Sequence, residues 1–187
     1  MSRTPKDLAA ITVGEPVRLQ GRILLATYDP AWPALFETQA AKVRAALGER
    51  AIAVHHVGST SVPGLCAKPI IDMVLVVADS ADEALYVPAL EDAGYVLHIR
   101  EPGWFEHRLL KGVNPAVNLH VFSADCPEIQ RTLAFRDHLR TDGTDRRLYE
   151  KTKRDLATRH WRFTQDYADA KTEVVEAILA RARAEGR

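Results

Sequence analysis

The sequence predicts one α/β domain, an α+β arrangement in which a mixed β-sheet is flanked by α-helices. Three observations point there. The run Lys68-Pro69-Ile70-Ile71-Asp72-Met73-Val74-Leu75-Val76-Val77 is almost continuously apolar, as suits a strand covered on both faces. Segments with helical spacing lie on either side of it, from Trp32 to Leu47 and from Pro127 onward. The 187 residues, 47% hydrophobic and 27% charged, are enough for one sizeable core, and no repeat, linker or low-complexity stretch divides them.

In chain order, residues 1–22 contain Pro5, Gly14, Pro16 and Gly21 without sustained periodicity. They read as an N-terminal arm, and residues 23–187 as the domain. Ile23 to Tyr28 looks like a short strand. Asp29-Pro30 suits a helix start, because a carboxylate caps free amides and a proline needs no partner in the first turn. Trp32, Leu35, Phe36, Val43 and Leu47 carry the helical spacing to Gly48. Ala51 to Val57 is strand-like and enters the turn-rich segment Gly58-Ser59-Thr60-Ser61-Val62-Pro63-Gly64. After the strand at 68–77, Asp79-Ser80-Ala81-Asp82 caps a helix that runs to Ala93, and Gly94 closes it. Strands follow at 95–100, 104–111 and 117–123, the last two joined through Asn114-Pro115. Helices are expected from Pro127 to Leu139, over 144–160 and over 163–183.

Bulk properties narrow the chemistry. Lysine and arginine total 25 and aspartate and glutamate total 25, so the net charge is zero. General nucleic-acid binding relies on a basic surplus that neutralises phosphates, and is not expected here. A small-molecule or nucleotide ligand is the better expectation. Cys66 and Cys126 lie far apart, outside any C-x-x-C pattern, and read as free thiols, buried or half-buried. The N-terminus lacks the apolar stretch of a signal peptide, and no apolar run approaches the roughly 20 residues of a membrane span. The expected location is cytoplasmic. P-loop, G-x-S-x-G, H-E-x-x-H and zinc-deaminase motifs are absent.

The segment from His56 to Asp72 is the most informative. A turn rich in glycine and hydroxyls between two apolar strands offers backbone amides and hydroxyls to phosphate oxygens. Gly58 and Gly64 lack a Cβ, so an anion can approach the backbone. Ser59, Thr60 and Ser61 supply the hydroxyls, and Lys68 adds a positive charge. The plain alternative is a tight connection whose serines and threonine serve its own backbone. Asp72 weighs against that alternative. A carboxylate inside an apolar strand is costly unless it is paired, hydrogen-bonded or bound to a metal. Near a strand end it meets the turn, where Mg²⁺ held between carboxylate and phosphate oxygens makes sense.

Two further clusters are candidates. Asn118 and His120 share one strand face, and Arg108 on the neighbouring strand is expected beside them. His120 is either a general base or a group that orients a substrate. Arg136 and Arg140, at i and i+4, point the same way and are suited to clamping a triphosphate or carboxylate, or to pairing with aspartate on a solvated face. Tyr149, Lys153 and Lys171 on later helices matter only if those helices cover the cleft.

These segments together resemble the GrpB family. The likeness rests on Tyr28-Asp29-Pro30-Ala31-Trp32, the run from His56 to Leu65, Lys68-Pro69-Ile70-Ile71-Asp72, Gly94-Tyr95, Asn118-Leu119-His120-Val121 and Phe135-Arg136-Asp137-His138-Leu139-Arg140. Tyr149, Lys153, Tyr167 and Lys171 complete it. The resemblance implies a nucleotidyltransferase-like fold, in which a Gly-Ser turn holds nucleotide phosphates and carboxylates on adjoining strands hold divalent metal. It implies that Gly58-Ser59 is that turn and that Asp72 is the first carboxylate of D-x-[DE]. The second position is Val74, which has no ligand atom, and a third acid would be expected near Asn118 and His120. Two-metal transfer needs more oxygen ligands than this.

Two functional readings follow. In the first, the protein is a nucleotidyltransferase that uses an NTP, ATP foremost, with Mg²⁺ to modify or activate a small molecule. Gly58, Ser59, Thr60, Ser61 and Lys68 grip phosphates and Asp72 holds the ion. Arg108, His120, Arg136 and Arg140 position the acceptor or leaving group, with His56, Asn118, Tyr149, Lys153 and Lys171 as further site residues. In the second, Val74 marks a degenerate metal site, and the domain is a non-catalytic binding module for a nucleotide or phosphorylated metabolite.

Overall fold

Alternation of side chains along five strands sorts the molecule into an apolar layer and a partly polar one. The computed structural model describes residues 4–14 and 22–185. Strands β1 (Ala53–Val57), β2 (Ile71–Val77), β3 (Val96–Glu101), β4 (His107–Val113) and β5 (Ala116–Ser123) form one sheet in the order β1-β2-β5-β4-β3. β2 and β5 run parallel and the other neighbours antiparallel, so the sheet is mixed, as expected.

On one face Met73, Leu75, Leu119 and Val121 pack against Phe36, Ala40 and Val43 of α2 (Trp32–Leu47) and Leu90 of α3 (Val87–Asp92). At about 1.5–3 kcal/mol for each large apolar side chain fully buried, this layer is the main source of stability. On the other face Val57, Val74, Val76 and Phe122 meet Cys126 and Ile129 at the start of α4 (Pro127–Thr141). β2 is therefore covered on both sides, which is why its sequence is apolar at almost every position. Cys66 and Cys126 are buried free thiols.

The second face turns polar toward the start of β2. Asp72 lies opposite Asn118, and Asn118 opposite Lys111. The next row is Val74, His120 and Leu109. α5 (Gly143–Ala157) and α6 (Thr164–Asp169) bring side chains to this end, and α7 (Thr172–Glu185) packs on α4 and α5. His138 Nε2 lies 2.8 Å from Asp145 Oδ2, and the Arg181 guanidinium donates to both Asp145 oxygens, which ties α4, α5 and α7 together.

Several local expectations change. The first residues are not wholly irregular: α1 (Pro5–Ile11) is a helix closed by a capping box between Thr4 and Asp7. Pro16 and Gly21 of the expected arm lie outside the described residues. The strand expected at 23–28 reduces to one bridge, with Ala26 and Ala67 exchanging backbone hydrogen bonds of 2.8 and 3.0 Å. The helix expected over 79–93 is a 3₁₀ turn at Glu83–Leu85 followed by α3, because Pro88 has no amide hydrogen and is tolerated only in a first turn. The helix expected over 163–183 is broken between α6 and α7, which leaves Lys171 in the break. No helix of the described residues is long and apolar enough to cross a membrane.

Candidate functional site

The site begins where β1 ends. Gly58 has φ +67°, a left-handed conformation, and starts the 3₁₀ turn Ser59–Ser61. A Cβ on Gly58 would lie 2.4 Å from Asp72 Oδ2, so glycine lets the turn sit directly on the carboxylate. The turn is braced internally and from behind. Ser61 Oγ donates to the Gly58 carbonyl at 2.6 Å, and Thr60 Oγ1 lies 3.1 Å from His56 Nε2. Arg136 Nη1 donates to the His56 carbonyl and Arg140 Nε to the Ser61 carbonyl, each at 2.9 Å. Lys153 Nζ donates to Ser59 Oγ at 2.7 Å and to the Cys66 carbonyl.

In front of the turn is a cavity of about 860 Å³. Gly58, Ser59, Thr60, Asp72, Asn118 and His120 border it. So do four lysines from four separate parts of the chain: Lys68 before β2, Lys111 on β4, Lys153 on α5 and Lys171 between α6 and α7. Lys68 and Lys171 both lie over the ring of the buried Tyr167, at 5.7 and 4.7 Å from its centroid. Asp72 and Glu128 are the carboxylates among the described lining residues, and Glu128 Oε1 already accepts from Arg131. A chain with no net charge thus has a cationic cavity.

Burial dominates the titration of these groups. It holds all four lysines below the usual ammonium range, Lys153 down to about 7. Neighbouring ammonium groups push Lys68, Lys111 and Lys153 further down. Burial pushes the Asp72 carboxyl up, opposed by the 2.8 Å hydrogen bond from Asn118 Nδ2 and by Lys68, Lys171 and Lys153. Crowded, poorly solvated ammonium groups with one shared carboxylate are stabilised by a ligand that brings several negative charges.

The donor set decides what metal fits. Asp72 is a single carboxylate, Val74 and His120 face each other in the next row, and three lysines oppose any cation. A two-ion site does not fit. One ion fits if ligand phosphates bring the other oxygens. Elsewhere His138, Asp142 and Asp145 are close enough together to hold a metal, but none borders the cavity and Arg181 and His138 already engage Asp145.

The structure gathers Gly58, Ser59, Thr60, Lys68, Asp72, Asn118, His120, Lys153 and Lys171 at one cavity. Other expected residues do not reach it. Arg108 lies opposite Val121, on the sheet face away from His120, and its guanidinium is bound to Glu83 and Glu106. Arg136 and Arg140 are spent on backbone carbonyls and Asp137. Ser61 serves its own turn. His56 stacks on Phe36 at 4.7 Å, and burial with Arg140 and Arg136 holds it down to about 4. Tyr149 is buried behind the turn with Leu65, Leu139 and Ile178. Lys111, His98 and Trp104 border the cavity without having been expected there. The signal for Lys111 is strand alternation on β4, which is readable only once the register is known.

The family model described as GrpB protein matches residues 22–181. The chain belongs to the GrpB family. Relatives similar to it include a UPF0157 protein of Halalkalibacterium halodurans, 56% identical over 182 residues that make up 97% of this chain and 93% of that protein. A UPF0157 protein of Streptomyces coelicolor is 43% identical over 185 residues, 99% of this chain and 96% of that one. The crystal structure of GrpB from Enterococcus faecalis superposes with a TM-score of 0.75 at 33% identity, covering 85% of this chain and 96% of that one. The mixed sheet with flanking helices is thus shared with a GrpB family member of known structure.

Proposed function

We propose that the cavity binds the phosphates of a nucleoside triphosphate, ATP foremost, and supports transfer to a small-molecule acceptor. The convergence of Lys68, Lys111, Lys153 and Lys171 on the Gly58-Ser59 turn and Asp72 carries this reading. The turn offers amides and hydroxyls to phosphate oxygens, and the lysines neutralise a polyanion where water is scarce. Asp72, with the ligand's own phosphate oxygens, would hold one Mg²⁺, which would supply charge neutralisation at the phosphates, and the lysines take the place of a second ion in a site with more carboxylates. Asn118 Nδ2 donates to Asp72 Oδ1 and so fixes the carboxylate.

One observation favours a second reading, a binding module without turnover: Val74 occupies the row beside Asp72 where another carboxylate would be needed. ATP calorimetry with and without Mg²⁺, on wild type and Asp72→Ala, separates the two. Magnesium-dependent binding that is lost in the variant supports transfer. Equal binding with and without Mg²⁺, and no turnover with any acceptor, supports the module. Absence of ATP binding to either protein sinks the transfer reading and leaves the module with a phosphorylated metabolite as its ligand.

A further inference from the structure

Beyond the lysines, a buried hydrogen-bonded chain enters the same cavity. Glu101 Oε2 lies 2.6 Å from His107 Nδ1, and His107 Nε2 lies 3.0 Å from His120 Nδ1. Glu101 and His107 are 7% and 3% exposed, and His107 is enclosed by the Phe122 ring at 4.8 Å and Trp104 at 5.1 Å. His120 is the member that borders the cavity. We propose that Glu101, His107 and His120 form a proton relay whose outer end, His120 Nε2, takes the proton from a hydroxyl or amine on the acceptor. The proposal rests on the reading of the cavity as a transfer site.

The direction of the chain follows from its buried end. A carboxylate only accepts, so His107 Nδ1 carries the hydrogen and, in the neutral ring, Nε2 accepts. His120 Nδ1 must then donate, which leaves Nε2 bare toward the cavity. A carboxylate behind a neutral imidazole is the arrangement that orients the base of a serine-protease triad. Burial holds His120 down to about 3, so this ring does not keep a proton that it receives. The relay removes that difficulty, because a proton entering at Nε2 releases another from Nδ1, and the charge is cancelled at Glu101.

Position agrees with this role. Residues two apart in a strand are separated by about 6.6 Å, which places His120 one row beyond Asn118 and Asp72. In the transfer step the acceptor oxygen or nitrogen bonds to the α-phosphorus, and the bond from that phosphorus to the bridging oxygen breaks to release pyrophosphate. The acceptor proton goes to His120 Nε2, the His120 Nδ1 proton to His107 Nε2, and the His107 Nδ1 proton to Glu101. His120 is the catalytic residue, and His107 and Glu101 are positioning residues.

The test needs no nucleotide, so failure of ATP binding would overturn the transfer reading separately. Histidine-labelled wild type at neutral pH, examined by long-range proton–nitrogen correlation, is expected to show His120 protonated at Nδ1 and bare at Nε2. Diethyl pyrocarbonate, which acylates bare imidazole nitrogens, is expected to modify His120. Glu101→Gln keeps the shape and the hydrogen bond but removes the charge, and is expected to slow that acylation about tenfold or more. An unchanged acylation rate in a folded Glu101→Gln protein would leave the chain a merely structural role and overturn the relay. So would a wild-type His120 protonated at Nε2, a result that stands even if the variant does not fold.

Discussion

Gly58 and Asp72 share a space that admits no side chain between them: a methyl on the glycine would lie 2.4 Å from Asp72 Oδ2. The positive φ of Gly58 adds backbone strain for any other residue. Gly58→Ala is expected to cost about 1–3 kcal/mol in urea unfolding and to displace the carboxylate, weakening ATP binding. An alanine protein with an unchanged midpoint and unchanged affinity would show that the contact is dispensable.

Lys153 gives the site a pH dependence with a definite sign. Its folded-state pKa, about 7, lies below the usual 10.5. Between those values the unfolded chain holds a proton that the native protein has released, so this residue makes stability rise as pH increases from about 7 to 10.5. Lys153→Met is expected to flatten that rise in denaturation curves measured at stepped pH.

Ligand binding should run the opposite way. A bound polyanion favours the ammonium form of Lys153, so phosphate binding takes up a proton and affinity falls as pH rises above about 7, by at most about tenfold per unit for one linked proton. Calorimetry of ATP binding in two buffers with different ionisation enthalpies measures the uptake. Identical apparent enthalpies in both would contradict it.

Arg136 and Lys68 separate bracing from binding. Arg136 is mostly buried and holds the His56 carbonyl, so Arg136→Ala should lower stability by about 1.5–3 kcal/mol. The Lys68 ammonium makes no hydrogen bond within the described residues and borders the cavity, so Lys68→Ala should weaken ATP binding and leave the unfolding midpoint nearly unchanged. Reversal of this pattern would mean that the guanidinium, not the lysine, meets the ligand.

Arg108 should behave as a structural residue. Its Nε donates to Glu83 at 2.6 Å on the face away from the cavity, and its removal leaves a partly buried carboxylate with only Arg100. Arg108→Ala is expected to destabilise by about 2–4 kcal/mol while the folded protein keeps its ATP affinity. A selective loss of affinity would place Arg108 in the site after all.

Much of the architecture could be read from local patterns. The apolar run of β2 and the alternation in β5 gave strands because burial on both faces and on one face leave different marks in the sequence. The turn at Gly58 and the anomalous Asp72 were visible because each is a local contradiction, a flexible hydroxyl-rich break and a charge in an apolar strand. The helix α1 was missed although Thr4, Pro5 and Asp7 spell its capping signal, since seven residues carry too little periodicity to notice.

Local patterns thus marked the long helices, most of the strands, the turn and the buried carboxylate, because propensity, capping and the cost of burying charge act within a few residues. Tertiary structure alone decided which polar groups meet. Register put Lys111, and not Arg108, beside Asn118, since one residue of slip sends a side chain to the opposite face. Helix packing turned Arg136 and Arg140 onto carbonyls and brought Lys153 of α5 and Lys171 of the break between α6 and α7 to Asp72. Those choices depend on contacts among residues far apart in the chain, which no local pattern encodes.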